Sequence, residues 1–216
     1  MYRTEKDSIG QKQVPVDAYY GVQALRAAEN FPITGLKAHP EQIRALAYIK
    51  KACALANFEV GLMDKKICDA IVQACDEIVA GQFHGDFIVD PIQGGAGTSL
   101  NMNANEVVAN RAIEILGGTK GDYTVVHPND HVNYGQSTND VIPTSGKMTV
   151  LRLIDRLVGE LNYLHDALKA KGDEFDHVLK MGRTQMQDAV PIRLGQEFHA
   201  YAVAIRRQAQ AVQVTA

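Results

Sequence analysis

Residues 143–171, PTSGKMTVLRLIDRLVGELNYLHDALKAK, decide the fold class of this chain. Its apolar residues recur every three or four positions, a spacing that is typical of one face of an α-helix. This main stripe consists of Met148, Leu151, Ile154, Val158, Leu161, Leu164 and Leu168. A second apolar stripe runs beside it through Val150, Leu153 and Leu157. The stretch therefore predicts one long helix, starting at Pro143, that needs apolar partners on more than one side.

Three shorter helices are predicted on the N-terminal side of this stretch. They cover about residues 40–61, 64–80 and 99–116, and each has an apolar stripe with helical spacing. Local signals mark their ends: Pro40 suits a first helical position, Asp64 suits an N-cap, and Gly81 and Gly117 suit positions just past a helix end. Residues 1–40 are rich in turn-forming residues, so we expect no long element there.

On the C-terminal side, residues 178–190 read as a short polar connection, and a last helix is predicted from Pro191 onward. No Gly, Asn or Pro ends this helix before Ala216. Because a natural domain rarely stops inside an amphipathic helix, we expect the chain to be a fragment of a longer protein. The predicted class is mainly α, with an irregular and helical N-terminal domain over residues 1–140 and part of a central helical bundle over residues 141–216.

Composition excludes several classes of protein. The 22 Lys and Arg residues against 25 Asp and Glu residues leave a net charge of −3, so binding to nucleic acid through a basic field is not expected. No apolar run approaches the roughly 18 residues of a membrane span, and the N-terminus is charged where a signal peptide is apolar. We therefore expect a soluble, cytoplasmic protein. Its three cysteines lack CxxC spacing, which argues against a disulfide framework or a zinc site, and Cys68 and Cys75 are expected in the core.

Uncharged polar residues concentrate in the middle of the chain. Seven of the ten asparagines lie between Asn101 and Asn139, and Asn101, Asn103 and Asn105 crowd the start of a predicted helix. Since Asn is a poor helix former, these amides are expected to hydrogen-bond something, either within a buried structural network or to a ligand.

Two loops, GGAGTS at residues 94–99 and GQSTND at residues 135–140, place hydroxyls at a predicted helix start. Free N–H groups and a partial positive charge at a helix N-terminus favour an anion, so two converging helix starts would form a cradle for a small dicarboxylate or a phosphate. Ordinary N-capping is the alternative interpretation. The first loop is not a P-loop, because no Lys precedes Thr98.

A metal site is not predicted. His127 and His131 are four positions apart with Asp130 between them, but Pro128 disfavours a regular helix there and no third ligand is evident. Neither a Ser/His/Asp triad nor a dinucleotide-binding fingerprint is present in the sequence.

Three segments together resemble the aspartase/fumarase superfamily, whose members eliminate ammonia, water or a larger amine to release fumarate. They are GGAGTSLNMNANEV at residues 94–107, HPNDHVN continuing to QSTND at residues 127–140, and GRTQMQD at residues 182–188. Within the superfamily, AYYGVQ at residues 18–23, Thr138 and Gln185 are more similar to the aspartase branch than to class II fumarases. A fumarase-like lyase and an inactive scaffold or oligomerisation fragment remain the alternatives.

The resemblance implies roles for six residues. Thr98, Ser137 and Thr138 would hold the β-carboxylate of the substrate, Asn139 its amino group, and Thr184 its α-carboxylate, with Gln185 beside the amine.

The resemblance also implies what lies outside this sequence. The family's catalytic base is a serine on a Gly-Ser-Ser loop that is followed by Lys-x-Asn-Pro, and neither motif occurs in residues 1–216. No catalytic residue is therefore assigned, and the fragment is expected to be inactive alone. The resemblance further implies that the reaction needs no organic cofactor, although a divalent cation activates some family members. Family members are homotetramers in which each active site is shared among three chains.

Overall fold

The computed structural model describes residues 1–215, and the predicted mainly α class is confirmed. The described residues contain six α-helices: α1 (Val22–Asn30), α2 (Pro40–Glu59), α3 (Lys65–Val79), α4 (Thr98–Ile115), α5 (Thr138–Glu174) and α6 (Leu194–Thr215). Two antiparallel hairpins pair β1 (Tyr2–Lys6) with β2 (Gln11–Pro15), and β3 (Leu179–Thr184) with β4 (Gln187–Arg193). Among residues 1–215, no helix is long and apolar enough to cross a membrane.

The chain divides into two compact units, Met1–Thr149 and the residues from Val150 onward. Helix α5 starts in the first unit and continues into the second one. The domain boundary predicted between residues 140 and 141 stays a prediction.

Helices α2, α3 and α4 form the core of the first unit, and the predicted bounds of these three helices are confirmed to within two residues. Asp64 caps α3 by accepting a hydrogen bond from the backbone N–H of Lys66 at 2.8 Å. Cys68 and Cys75 are buried in this core, as expected. Helix α4 is buried on nearly every side and contributes the largest number of residues to the core interior; they include Leu100, Ala104, Val107, Val108, Ala112 and Ile113.

Residues 1–40 hold only short elements, the β1–β2 hairpin and helix α1, neither of which was predicted from the sequence. Helix α1 has no capping side chain at its own N-cap, Gly21. Instead, the carboxylate of Glu106 on α4 accepts hydrogen bonds from the backbone N–H groups of Gly21, Gln23 and Ala24 at 2.9–3.0 Å. A cap that comes from more than eighty positions away leaves no local signal in the sequence.

Helix α5 begins at Thr138, so the predicted start at about Pro143 is wrong. Its first turn is closed by two reciprocal hydrogen bonds, from Asn139 N–H to Ser137 Oγ and from Ser137 N–H to Asp140 Oδ2, both at 3.3 Å. Pro143 lies within the helix, and because proline has no N–H, the carbonyl of Asn139 cannot receive the usual bond from four residues on.

The polar connection predicted at residues 178–190 is the β3–β4 hairpin, and α6 starts at Leu194 instead of Pro191. Strand β4 is exposed on both faces over most of its length, so it lacks the apolar alternation that predicts a strand. Gly182 is required where the strands pair, since a Cβ there would lie 2.9 Å from the carbonyl oxygen of Val190. The predicted lack of a helix end at Ala216 lies outside the described residues.

We predict that Glu106→Gln destabilises the chain by about 1–3 kcal/mol, because one side-chain oxygen that accepts from Gln23 N–H becomes an N–H donor. Denaturant unfolding measures the change in the free energy of unfolding. Glu59→Gln, at an exposed position, is the matched control and should lie within about 0.5 kcal/mol of the parent. Equal stabilities of the two variants would contradict this account of α1.

Candidate functional site

The starts of helices α4 and α5 lie side by side in the first unit. Gly97, with φ at 85°, leads into α4, and a Cβ on it would lie 2.9 Å from the side chain of Ile142 on α5. A glycine is therefore needed both for the left-handed backbone and for the close approach of α5. This packing brings Thr98 and the segment that contains Ser137, Thr138 and Asn139 to neighbouring helix starts.

Side chains cap both helix starts, but only one of the caps is a hydroxyl. In α4, Gln93 Oε1 accepts from Leu100 N–H at 2.8 Å, and neither Thr98 nor Ser99 is the capping side chain. In α5, Ser137 Oγ accepts from Asn139 N–H, but its own O–H remains able to donate. Thr98, Ser137 and Asn139 are exposed and Thr138 is partly buried, so all four can be reached by a ligand.

Asn101 joins the two helix starts from behind. This buried residue in the first turn of α4 donates from Nδ2 to Asn133 Oδ1 at 3.1 Å and to Thr138 Oγ1 at 3.4 Å. Asn133 in turn donates from Nδ2 to the backbone carbonyl of Gln136 at 3.0 Å. The amides therefore fix the loop that leads into α5 against the start of α4.

Sequence reasoning missed Lys50, which lies at the centre of these amides. Its side chain is 0% exposed, and Nζ donates to Asn101 Oδ1 and Asn133 Oδ1 at 2.8 Å and to Gln136 Oε1 at 2.9 Å. Burial lowers the pKa of Lys50 to about 7. A signal was available, because Lys50 falls on the same helical stripe as Ile43, Leu46 and Ala54, where a lysine is out of place.

The two histidines of the second motif stabilise a single π-helical turn, Pro128–Val132. His127 Nδ1 accepts from the backbone N–H groups of Asn129 and Asp130, and His131 Nδ1 accepts from His127 N–H at 2.8 Å. Burial lowers the pKa of His131, which favours the neutral ring needed for an accepting nitrogen. Among residues 1–215, no group of three His, Cys, Asp or Glu side chains could hold a metal ion.

The other asparagines of α4 differ in what they bind. Asn103 accepts from the N–H groups of Ile88 and Val89, and Asn110 accepts from Gly121 N–H at 2.7 Å, so both belong to a structural network. Asn105 Oδ1 is buried and has no hydrogen-bond partner among the described residues. Of these asparagines only Asn101 reaches the two helix starts, and its amide also bonds to protein groups, so the structural interpretation fits it as well and the ligand interpretation stays a prediction.

Thr184 and Gln185 belong to the second unit. Thr184 ends β3, where it pairs with Gln187, and Gln185 and Met186 form the turn of the hairpin. Both turn residues are left-handed, with φ at 50° and 62°, a conformation that costs energy for residues other than Gly, Asn and Asp. Strained backbone of this kind concentrates at binding and catalytic sites. Both Thr184 and Gln185 are exposed.

The chain is mainly helical, and the neutral hydroxyl and amide groups at its two adjacent helix starts are groups that favour a small anion. A sequence model described as lyase matches residues 10–216. The chain therefore belongs to the lyase family, within the aspartase/fumarase superfamily whose motifs it carries.

Curated relatives support this assignment. The chain is 59% identical to an aspartate ammonia-lyase of Bacillus subtilis (strain 168) over 95% of its own length and 43% of that protein. It is 52% identical to a class II fumarate hydratase of Halobacterium salinarum over 100% of its own length and 46% of that protein. The chain thus spans rather less than half the length of the curated relatives it matches.

A solved structure confirms the expected superfamily fold. The native crystal structure of a fumarate lyase:delta crystallin from Brucella melitensis matches with a TM-score of 0.86 and 50% identity, over 98% of this chain and 50% of that one. The roles predicted for Thr98, Ser137, Thr138, Asn139, Thr184 and Gln185 stay predictions.

We predict that Thr98→Val and Ser137→Ala each weaken the binding of succinate by the full-length protein about tenfold, because each removes one neutral donor from the anion site, worth about 1.4 kcal/mol. Titration calorimetry measures the dissociation constant. Thr119→Val, an exposed threonine outside the two helix starts, is the control and should bind as the parent does. Unchanged affinity in both site variants would show that these hydroxyls do not contact the anion.

Proposed function

We propose that the whole protein is an aspartate ammonia-lyase, which converts L-aspartate to fumarate and ammonia by a reversible anti elimination. The observation that carries the proposal is the pair of adjacent helix starts with neutral donors, in a chain 59% identical to an aspartate ammonia-lyase. Removal of a proton from the carbon beside a carboxylate produces an aci-carboxylate with additional negative charge. Preorganised N–H and O–H donors stabilise such a developing charge.

In this proposal Thr98, Ser137 and Thr138 hold the β-carboxylate, which becomes the aci-carboxylate. Neutral donors suit this task, since they bind the singly charged ground state less strongly than a cation would and gain strength as the charge grows. One oxyanion donor contributes roughly 3–4 kcal/mol, whereas enzymes lower barriers by about 8–23 kcal/mol. A positioned base is therefore required in addition, and we assign it to no residue of this chain.

Asn139 would bind the amino group, Thr184 the α-carboxylate, and Gln185 would lie beside the leaving amine. The amide oxygens of Asn139 and Gln185 accept hydrogen bonds from an ammonium without adding a charge. The strained turn at Gln185 and Met186 supports a binding role, because strain is retained where a precise side-chain position is needed. The reaction needs no organic cofactor, and a divalent cation would act only as an activator.

Class II fumarate hydratase activity is the second candidate. The observation that favours it is the 52% identity to the Halobacterium salinarum hydratase over the full chain. The aspartase reading is preferred because Thr138 and the amide of Gln185 stand where the fumarase branch tends to have Ser and His.

We also propose that the whole protein is a cytoplasmic homotetramer that acts on a small molecule and needs neither nucleic acid nor a membrane. Exposed apolar side chains on α5 support assembly, since Val150 is 59% exposed and Leu151 and Leu157 are each 49% exposed. Large side chains of this kind are usually covered by another helix in a bundle.

The reaction is tested by following fumarate absorbance when the full-length protein is supplied with L-aspartate or with L-malate. We expect fumarate from aspartate and little or none from malate. Activity with malate alone would reject the aspartase proposal in favour of the hydratase.

Residues 1–216 alone should release no fumarate from either substrate, because the family's base-bearing loop has no counterpart in them. The same absorbance assay, run on the purified chain at high concentration, measures this. Measurable turnover would mean that a catalytic base lies within residues 1–216, among their carboxylates and histidines.

A further inference from the structure

We propose that Lys50 is a positioning residue for the carboxylate site. Its buried ammonium orients Asn101 so that the hydroxyl of Thr138 donates a hydrogen bond to the substrate. The inference rests on the proposed function, since Thr138 is taken to hold the carboxylate that becomes the aci-carboxylate. Among the described residues, Nζ of Lys50 hydrogen-bonds only to amide oxygens and to none of the exposed hydroxyls.

Burial lowers the pKa of Lys50 to about 7, and the three amide oxygens around Nζ favour the charged ammonium over the neutral amine. An ammonium has three donors and no lone pair, and Nζ has three amide oxygens, from Asn101, Asn133 and Gln136, at 2.8–2.9 Å. A neutral amine would turn a lone pair toward one of these oxygens. Among the described residues, no carboxylate forms an ion pair with Lys50, so only side-chain dipoles balance its charge.

A buried charge without a counter-ion is costly, and the three amide oxygens around Nζ repay part of that cost. An anion at the adjacent helix starts would supply the missing negative charge, and the positive charge lies behind the donors, where it strengthens binding without contacting the ligand.

The ammonium also fixes which way the amides face. An amide has an acceptor on one side and two donors on the other, so an oxygen turned toward Lys50 turns the NH₂ group away. Asn101 Nδ2 then faces Thr138 Oγ1, while Asn133 Nδ2 and Gln136 Nε2 donate to the backbone carbonyls of Gln136 and Val132 at 3.0 and 2.9 Å.

This orientation decides what the Thr138 hydroxyl can do. Because its oxygen accepts from Asn101, its proton is free to point toward a ligand. Without the ammonium, Asn101 could rotate its amide by half a turn, and its oxygen would then accept the Thr138 proton. The site would then have one hydrogen-bond donor fewer for the negative charge that develops on the substrate carboxylate.

The test compares Lys50→Met with Lys51→Met in the full-length protein. Lys51 is the next residue on α2 and pairs with Asp76 near the surface, so it is a matched control with the same change of chemistry. We expect kcat to fall about 10²-fold in Lys50→Met, the usual effect of losing one oxyanion donor, with a smaller change in KM. Its midpoint of thermal unfolding should fall, because three buried amide oxygens lose their donor, so kcat is compared per folded molecule.

A merely structural role for Lys50 would lower the unfolding midpoint and leave kcat per folded molecule unchanged. That result would overturn the proposal. Equal kcat values in Lys50→Met and Lys51→Met would do the same.

A second variant keeps the proposal testable if Lys50→Met does not fold. Asn101→Asp retains an oxygen for Lys50 but has no N–H for Thr138, and it too should lower kcat about 10²-fold. In a Thr138→Val background, either change should lower kcat less than twofold further, since the target hydroxyl is already gone. Fully additive losses would show that Lys50 acts by another route.

The two proposals fail in different ways. If the parent releases no fumarate from aspartate or malate, the proposed function fails, and the dissociation constant for succinate still tests Lys50. We expect Lys50→Met to weaken succinate binding at least fivefold relative to Lys51→Met. Equal affinities would reject the role of Lys50 without affecting the assignment of the reaction.

Discussion

The first unit depends on hydrogen bonds from the buried polar side chains of helix α4, of which Asn105 alone keeps an oxygen without a partner among the described residues. Helix α4 carries Asn101, Asn103, Glu106 and Asn110 within the core, each at most 3% exposed. A buried polar group without a partner costs about 1–3 kcal/mol, so each of these side chains must find one. Each of them binds a different segment that has no regular structure or capping signal of its own, and the segments are thereby held in place.

Glu106 shows how strong this constraint is. It replaces the local cap of α1 with a carboxylate from the core, and burial raises its pKa to about 7 while three backbone N–H groups favour the charged form. Asn110 fixes Gly121, and Asn103 fixes the backbone at Ile88 and Val89. The same principle, applied to Asn101, connects the core to the site, because its amide is shared between Lys50 and the start of α5.

The candidate site has an exposed layer and a buried layer. Exposed neutral donors, Thr98, Ser137 and Asn139, lie in front, and a buried cation with its amides lies behind. Such an arrangement favours an anion in a chain whose net charge is −3, and it does so without placing a cation directly on the substrate.

The sequence alone determined the mainly α class, the bounds of α2, α3 and α4, and the motifs of the superfamily. These features were readable because caps such as Asp64 and stripes with helical spacing are local, and local interactions leave local patterns. The start of α5 was misread at Pro143, and both hairpins and α1 were missed, because their stability comes from pairing and from Glu106 rather than from neighbouring residues. Only the tertiary structure could decide that Lys50 lies beneath Asn101 and Thr138. Those residues are 51 and 88 positions apart from it along the chain, and only packing of α2 against α4 and the loop before α5 brings them together.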